Sequence, residues 1–190
     1  MDKNKLRALA LSKRQDIKNA DKDAAITKRL ISLYEYKKAE TVLCYVSRDD
    51  EISTEKIIEY SLKNNKRVGV PFCTETKGVM TFYSINSLND LQNGRFGIKE
   101  PIVTSCKQID SYDNTVVIVP ALCVSRNGFR LGYGGGYYDR FLADKSVTSI
   151  GLCYNDLIID NIDINDYDIP LDIIITENEL IYCNNGGKNG

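Results

Sequence analysis

One stretch of the chain, residues 128–142, combines the residue types that bind anions. Its sequence is GFRLGYGGGYYDRFL, with five glycines and two arginines in fifteen residues. Glycines at 132, 134, 135 and 136 leave backbone N–H groups open to a phosphate. Arg130 and Arg140 flank them as charge-assisted donors to phosphate oxygens. The stretch therefore predicts a site for a nucleotide triphosphate or a sugar phosphate.

The two familiar phosphate-binding signatures are both absent from this stretch. G-x-G-x-x-G would need a glycine at position 137, where the chain has Tyr137. G-x-x-x-x-G-K-[ST] needs a lysine after the glycines, and none follows them. The simplest alternative is a tight strand-to-helix turn, with Asp139 and Arg140 as solvated helix charges. Four glycines in five positions cost too much chain entropy for a turn alone, so we favour ligand binding.

Asp139 and the tyrosines of this stretch each allow two interpretations. A carboxylate beside a polyphosphate site suits Mg²⁺, which takes one or two carboxylates, phosphate oxygens and waters. Asp139 in a first helical turn also simply complements the helix dipole. Tyr133, Tyr137 and Tyr138 either stack on a flat heterocycle or pack half-buried on the sheet, the commoner outcome.

The length of the chain limits the number of domains. The chain has 190 residues, enough for one domain, which we expect to span residues 1–183, with 184–190 (NNGGKNG) as a disordered tail.

Composition limits the class of protein. Histidine is absent, which excludes histidine-based triads and histidine metal sites. The net charge of -1 provides no basic field for nucleic acid, so we expect no nucleic-acid partner. The six cysteines form no C-x-x-C pair, which predicts reduced thiols and no zinc site. The charged N-terminus and the lack of a long apolar run predict a cytoplasmic protein with no membrane partner.

The glycine stretch lies within an alternation of predicted helices and strands. Leu6, Leu9, Ala10, Lys13 and Ile17 recur at helical spacing and predict an amphipathic helix over the first eighteen or so residues. Asp21 is the predicted N-cap of a second helix, and Ser53 or Thr54 that of a third. The predicted strands are ETVLCYVS, RVGVPF, MTFYSI, NTVVIVP, SVTSIGLCY and finally LDIIITE. The glycine stretch is predicted to run from NTVVIVP directly to a helix that begins near Gly136 and covers YYDRFLA. This order indicates an α/β fold with a mostly parallel central sheet and helices on both faces.

A signature stretch and four further motifs in the same order as in the family give the chain a family resemblance. VPALCVSRNGFRLGYGGGYYDRFL resembles the signature of the 5-formyltetrahydrofolate cyclo-ligase family. The likeness extends to KNKLR near the start, EISTEKII after the first strand, GIKEP in mid-chain and LDIII near the end. The resemblance implies a single α/β domain of the type seen in sugar-phosphate isomerases and CoA transferases. It implies ATP- and Mg²⁺-dependent closure of 5-formyltetrahydrofolate to 5,10-methenyltetrahydrofolate, with release of ADP and phosphate.

The resemblance also implies roles for individual residues. Arg130, Tyr133 and Arg140 would be catalytic, and Asp139 and Asp172 would bind Mg²⁺. The residues implied to hold ATP are Lys3, Asn4, Lys5, Leu6, Arg7, Arg130, Leu131, Gly132, Tyr133, Gly134, Gly135, Gly136, Tyr137 and Tyr138. Those implied to contact the folate are Val46, Glu51, Tyr133, Gly134, Gly135, Gly136 and Tyr137.

Parts of this assignment have structural alternatives. Lys3 and Arg7 are otherwise an i, i+4 pair on a solvated helix face, and Glu51 a carboxylate at a helix entry. Some family members place Arg and Lys where this chain has Tyr133 and Gly135, so Arg140 would supply part of the phosphate charge. We expect a monomer. Two other functions remain open: a sugar-phosphate isomerase-like enzyme and a non-catalytic nucleotide-binding module.

Overall fold

The computed structural model describes residues 2–94 and 97–183. The predicted tail, residues 184–190, lies outside the described residues. The helices are α1 (Lys3–Ile17), α2 (Ala20–Ser32), α3 (Tyr34–Lys38), α4 (Glu55–Lys63) and α5 (Tyr137–Ala143), with short 3-10 turns at Leu88–Asp90 and Asn155–Leu157. The strands are β1 (Thr41–Cys44), β2 (Arg67–Cys73), β3 (Met80–Ile85), β4 (Leu91–Asn93), β5 (Lys99–Pro101), β6 (Lys107–Gln108), β7 (Thr115–Pro120), β8 (Cys123–Ser125), β9 (Arg130–Leu131), β10 (Thr148–Leu152), β11 (Ile158–Ile159), β12 (Ile173–Ile175) and β13 (Leu180–Tyr182).

The central sheet has eight strands in the order β13-β12-β10-β7-β1-β2-β3-β6. Its middle strands, β12, β10, β7, β1 and β2, are parallel, and the outer pairings with β13, β3 and β6 are antiparallel. The α/β class with a mostly parallel sheet is therefore confirmed. The prediction that LDIIITE is the final strand is wrong, because β13 follows it and pairs antiparallel with β12.

The parallel strands form the core because they are apolar along their whole length. All four residues of β1 are buried, and so are the first five of β7. Ile118 of β7 lies opposite Cys44 of β1 and is fully buried. Truncating such a side chain to alanine costs about 2–5 kcal/mol. The helices α4 and α2 pack against β2 and β12 respectively.

Helix α1 buries part of the predicted face: Ala10 is buried and Leu6 and Ile17 pack against the core, but the other two predicted residues are exposed. Leu9 is 56% exposed and Lys13 is also exposed, whereas Ala10 and Arg14 are buried. The prediction followed helical spacing and placed Leu9 and Lys13 on the core-facing side. It did not include Arg14, because an arginine is buried only when carboxylates and hydroxyls pair with it. Helix α1 thus carries a charged side chain into the protein.

The helix caps also correct one prediction. The N-cap of α2 is Asn19, whose Oδ1 accepts from the backbone N–H of Asp21 at 2.7 Å, so Asp21 is not the cap. Thr54 stands at the N-cap position of α4, as predicted, but makes no capping hydrogen bond. Its hydroxyl instead donates to the Tyr45 carbonyl at 2.7 Å and so attaches α4 to the end of β1.

A hairpin lies between β7 and the glycines, so the prediction of a direct strand-to-helix loop is wrong. Strands β8 and β9 pair antiparallel and, with β11, form a separate three-stranded sheet. Gly128 lies in the hairpin turn with a φ of +97°. A Cβ at this position would lie 2.7 Å from the Leu171 carbonyl oxygen, so only glycine fits. Gly128 therefore serves the fold, and the glycine loop proper is residues 132–136.

Candidate active site

The glycine loop joins β9 to α5 and is open on one side. Gly134 and Gly136 have φ values of +94° and +67°, a backbone conformation that other residues adopt with strain. A Cβ added at Gly132, in contrast, would meet no atom within 4 Å. Gly134 and Gly136 thus shape the loop, while Gly132 leaves an open face that a ligand can approach.

The start of α1 lies against this loop, although more than a hundred residues separate the two in sequence. Arg7 Nε donates to the Gly132 carbonyl at 2.9 Å, and Arg7 Nη1 donates to Asn4 Oδ1 at 2.7 Å. Lys3 Nζ, one turn earlier, pairs with Asp168 Oδ2 at 2.7 Å. The structure therefore brings together the two segments for which we predicted ATP contacts. Two other residues of the first segment differ from Lys3 and Arg7 in their surroundings. Lys5 is exposed, and Leu6 packs against the core.

Lys3 is the cation closest to Asp168. Burial alone would raise the pKa of Asp168, but hydrogen bonds from Lys3 and from the Asn165 N–H, with the nearby charges of Lys3 and Arg130, lower it below its ordinary value. Asp168 is therefore ionised at neutral pH and holds the Lys3 ammonium beside the start of α1.

Buried Arg130 and partly exposed Asp139 form an ion pair behind the loop. Arg130 Nη2 donates to Asp139 Oδ1 at 3.0 Å, and its Nη1 donates to the Ile169 carbonyl at 3.0 Å. The Arg130 side chain is only 4% exposed. Burial lowers the pKa of Arg130, and the charge of Asp139 opposes that effect. The guanidinium that we predicted to meet phosphate is thus engaged by protein groups on two sides.

Arg140 lies on the outer side of the loop and is exposed. Its Nη1 donates to the Gly135 carbonyl at 2.9 Å. The same atom would lie 2.1 Å from a Cβ at Gly78, which has a φ of +82° in the turn between β2 and β3. Arg140 therefore bridges the glycine loop and the Gly78 turn.

Tyr133, at the tip of the loop, is held by its hydroxyl. The hydroxyl accepts from Arg14 Nη2 at 2.6 Å and donates to Glu51 Oε1 at 3.0 Å. The Arg48 guanidinium lies 4.4 Å from the centre of the Tyr133 ring. Burial and the Glu51 charge raise the pKa of Tyr133 to about 12, although Arg14 opposes the rise. The phenol is therefore neutral at physiological pH and acts as a hydrogen-bonding group.

Glu51 occupies the segment that follows β1. Its side chain is buried, and Oε2 accepts from the backbone N–H of Arg48 at 2.9 Å. Val46, in the same segment, is half-buried and packs against the core. A cavity of about 10 Å³, room for about one water molecule, lies between Glu51, Arg14 and Tyr154. The predicted folate residues Glu51 and Tyr133 are thus in direct contact.

Tyr137 and Tyr138 differ in their surroundings. The ring of Tyr137 lies 2.7 Å from a Cβ added at Gly135, so it lies along the loop. The Tyr138 hydroxyl is buried with no hydrogen-bond partner among the described residues. Burial, together with Cys44 and Glu51 nearby, raises the pKa of Tyr138 well above its ordinary value. Leu131, just before the loop, is buried in β9.

The two predicted Mg²⁺ ligands are held by different elements. Asp172 Oδ2 accepts from the N–H and the hydroxyl of Ser149 at 2.8 and 2.7 Å, at the amino end of β12. Asp139 belongs to α5 and pairs with Arg130. Across residues 2–94 and 97–183, no group of three or more cysteine, aspartate or glutamate side chains could hold a metal ion. The roles of Asp139 and Asp172 in metal binding stay predictions.

Three charged residues of this site escaped the sequence analysis. Arg14, 2% exposed, donates to Asp50 Oδ2 as well as to Tyr133, and Arg48 pairs with Asp50 at 3.2 Å. Arg14 follows Ala10 by four residues and so lies on the buried face of α1. The spacing of four residues from Ala10 was the sequence signal that could have identified Arg14 as a buried residue. The acidic run before the third predicted helix was the signal for Asp50.

A glycine loop surrounded by arginines, on a mostly parallel α/β sheet, is typical of proteins that bind phosphorylated ligands. The sequence profile of the 5-formyltetrahydrofolate cyclo-ligase family matches residues 1–177. The chain therefore belongs to the 5-formyltetrahydrofolate cyclo-ligase family.

Individual relatives agree with this assignment. The chain is 30% identical over 158 residues to the 5-formyltetrahydrofolate cyclo-ligase of Haemophilus influenzae, covering 80% of this chain and 84% of the relative. Its fold is similar to that of Aquifex aeolicus 5,10-methenyltetrahydrofolate synthetase, with a TM-score of 0.83, 27% identity, and coverage of 100% of this chain and 97% of the other. A second methenyltetrahydrofolate synthetase, from Mycoplasma pneumoniae, has a TM-score of 0.74 at 22% identity and covers 93% of this chain and 99% of its own, which supports the fold alone. Within the described ranges, no helix is long and apolar enough to cross a membrane.

Proposed function

We propose that this chain catalyses the ATP-dependent closure of 5-formyltetrahydrofolate to 5,10-methenyltetrahydrofolate, with release of ADP and phosphate. The observation that carries the proposal is the meeting of three distant segments at the glycine loop. Arg7 of α1 contacts Gly132, and Tyr133 contacts Glu51 after β1. One loop therefore adjoins both the predicted nucleotide residues and the predicted folate residues.

The reaction needs positioning more than it needs a protein nucleophile. The formyl oxygen of the folate attacks the γ-phosphorus of ATP and ADP leaves, which gives an iminium phosphate at N5. N10 then attacks the activated carbon, the ring closes and inorganic phosphate leaves. The chain has no histidine, and the groups gathered at the loop are cations, the carboxylates Glu51 and Asp139, and the Tyr133 hydroxyl. These groups align two substrates and stabilise phosphoryl charge, the usual means of catalysing such transfers.

Lys3 and Arg7 are the side chains that we assign to the triphosphate. Both lie at the start of α1, and Arg7 is in contact with the loop. The open face at Gly132 admits phosphate oxygens. We assign Glu51 to the pterin, because each of its oxygens accepts one hydrogen bond from the described part of the chain and a carboxylate has about four acceptor positions. Val46 would line the same pocket.

Asp139 fits a magnesium ion bound together with the triphosphate. Its Oδ1 is occupied by Arg130 and by the Ile169 N–H, and within the described residues no hydrogen bond occupies Oδ2. Mg²⁺ commonly takes one or two carboxylates and fills its other positions with phosphate oxygens and waters. When bound, the ion would neutralise charge on the phosphates. Asp172 would be the second carboxylate.

The decisive test is an assay with purified protein, 5-formyltetrahydrofolate, ATP and Mg²⁺. We expect the near-ultraviolet band of the methenyl product to appear with one ADP per product. The absence of an ATP-dependent signal would contradict the proposal. A sugar-phosphate isomerase-like enzyme, the other activity considered, would turn over its substrate without ADP release. A binding module would bind nucleotide without turnover.

We also propose that residues 1–183 act as one catalytic domain, with the fold of sugar-phosphate isomerases and CoA transferases. The family match over residues 1–177 supports this extent. We propose a monomer that works in the cytoplasm and binds no nucleic acid, in line with the net charge of -1. Light scattering on the purified protein tests the monomer, since a mass near twice 21.4 kDa would contradict it.

A further inference from the structure

Tyr133 is the side chain through which the glycine loop is attached to the predicted folate site. Its hydroxyl lies between Arg14 Nη2 at 2.6 Å and Glu51 Oε1 at 3.0 Å. The flanking residues, Gly132 and Gly134, have no side chain to hold the loop in place. Arg7 and Arg140 hold the backbone carbonyls on either side of the loop tip, and the Tyr133 hydroxyl adds the contact of the tip with Glu51.

Arg14 fixes the hydroxyl from the protein interior. Its side chain is 3% exposed, and the Nη2 that donates to Tyr133 also donates to Asp50. Asp50 in turn pairs with Arg48, whose backbone N–H holds the other oxygen of Glu51. The contacts close a ring in which each charged group has an opposite partner.

We propose that Arg14 is a positioning residue, which holds the Tyr133 hydroxyl on Glu51 and thereby couples occupation of the folate site to ordering of the nucleotide loop. This inference rests on the proposed function. A folate that binds Glu51 fixes the carboxylate, the fixed carboxylate anchors Tyr133, and the anchored loop loses less freedom when nucleotide binds. Binding of one ligand to a loop already ordered by another is positively cooperative. Because coupling is reciprocal, nucleotide tightens folate binding by the same factor.

The test measures the dissociation constant of a non-hydrolysable ATP analogue, with and without saturating 5-formyltetrahydrofolate, by calorimetry on the full chain. In the unmodified protein we expect the folate to tighten nucleotide binding by at least about fivefold, the lower end of typical coupling. In Tyr133→Phe, which keeps the ring but loses the hydroxyl, the factor should fall to about one. Each ligand alone should still bind Tyr133→Phe but more weakly, because Tyr133 is an implied contact of both ligands. The coupling factor is a ratio of two dissociation constants measured in the same variant, so it separates weaker binding from lost coupling.

Tyr182→Phe is the matched control. It also removes a tyrosine hydroxyl that donates to a glutamate, Glu35, at 3.3 Å on the exposed side of β13. The control should keep the coupling factor of the unmodified protein.

Arg14→Lys tests the positioning residue itself. Lysine keeps the charge but cannot reproduce the planar fork that reaches Tyr133 and Asp50 together. We expect it to lower the coupling factor as Tyr133→Phe does, and the double variant to lower it no further, because the two residues act in one chain of contacts.

Three results would overturn the inference. They are a factor near one in the unmodified protein, an unchanged factor in Tyr133→Phe, and loss of each separate ligand in that variant. A protein that turns over folate with ATP but shows any of these has the proposed function without the coupling. A protein that neither binds folate nor turns it over lacks the proposed function as well.

Discussion

Arg130 donates to Asp139 Oδ1 at 3.0 Å, and the same oxygen accepts the Ile169 backbone N–H at 3.2 Å. Arg130 also donates to the Ile169 carbonyl, so the three residues form a closed set of contacts. The set joins β9, α5 and the segment before β12. Two charged residues of the glycine-rich stretch, which the sequence suggested were catalytic or metal-binding, therefore also hold three elements together.

Arg130→Ala should destabilise the protein by about 1–3 kcal/mol, because it removes a side chain that is only 4% exposed and leaves the partly exposed Asp139 carboxylate without its cation. At about 2–4 °C per kcal/mol for a chain of this size, the melting temperature should fall by roughly 2–12 °C. Differential scanning calorimetry measures this fall in melting temperature. Arg140→Ala, at an exposed position, is the control. If Arg130→Ala melts like the unmodified protein, the pair is not structural. Lost turnover in this variant does not by itself assign a catalytic role.

Alanine at Gly132 and at Gly134 should have unequal effects on stability. Gly132→Ala should change the free energy of unfolding by less than about 0.5 kcal/mol, because the new methyl group meets nothing. Gly134→Ala should cost about 1–2 kcal/mol, because its φ of +94° strains an L residue. If phosphates occupy the open face, Gly132→Ala should still raise the KM for ATP. An unchanged KM would place the triphosphate elsewhere.

Lys3→Ala should weaken ATP binding with little effect on the fold. The Lys3–Asp168 pair is partly exposed, so its loss should cost less than about 1 kcal/mol. A charge-assisted hydrogen bond to phosphate is worth about 1.5–3 kcal/mol, so the KM for ATP should rise about tenfold to a hundredfold. Steady-state kinetics and a melting curve separate the two effects. Lys28→Ala, at an exposed position of α2, is the comparison for general charge loss.

Asp168 also predicts a pH dependence. Its pKa is lowered in the folded protein, so its contribution to stability is present above pH 3.8, the ordinary value, and is lost as the pH falls below it. Lys3→Ala removes the partner and should reduce this loss. Urea unfolding between about pH 5 and pH 3 measures the difference. Parallel pH curves for the variant and the unmodified protein would contradict the assignment.

Alkaline pH should destabilise the protein through four phenols whose pKa the fold raises. Burial raises the pKa of Tyr36 and of Tyr133 to about 12, and raises those of Tyr45 and Tyr138 well above the ordinary value near 10. The neutral phenols stabilise the fold fully below pH 10, and this stability is lost as the pH rises through about 12. Phenolate absorbance and circular dichroism should therefore change together in this range. Full ionisation of all twelve tyrosines with native dichroism would contradict this.

The sequence predicted the elements whose pattern is local. The apolar runs of β1 and β7 are strands, and the helix after Gly136 begins at Tyr137. The hairpin of β8 and β9 was missed because its strands are two and three residues long and show no alternation. Strand β13 was missed for the same reason, since an edge strand of three residues has little pattern.

In the candidate site, too, the sequence predicted local features and missed contacts between distant residues. Glycine content and flanking arginines located the loop, because those residue types act through their own chemistry. The contact of Arg14 with Tyr133 joins residues 119 positions apart and depends on how α1 packs. No local pattern reports such a contact. The sequence likewise could not distinguish a guanidinium that faces a phosphate from one, such as Arg130, that is buried against Asp139.

The structural role of Gly128 affects how the activity of this chain's relatives is inferred from the motif. Gly128, Arg130 and Asp139 belong to the signature, yet their contacts are with Leu171, Ile169 and each other. A relative that kept these three residues and lost Gly132 would still fold alike and still match much of the motif, because a side chain at 132 meets nothing in the fold. Such a protein would be a family member in ancestry and an inactive one in chemistry. Glycine at 132 is therefore the better marker for inferring activity across the family.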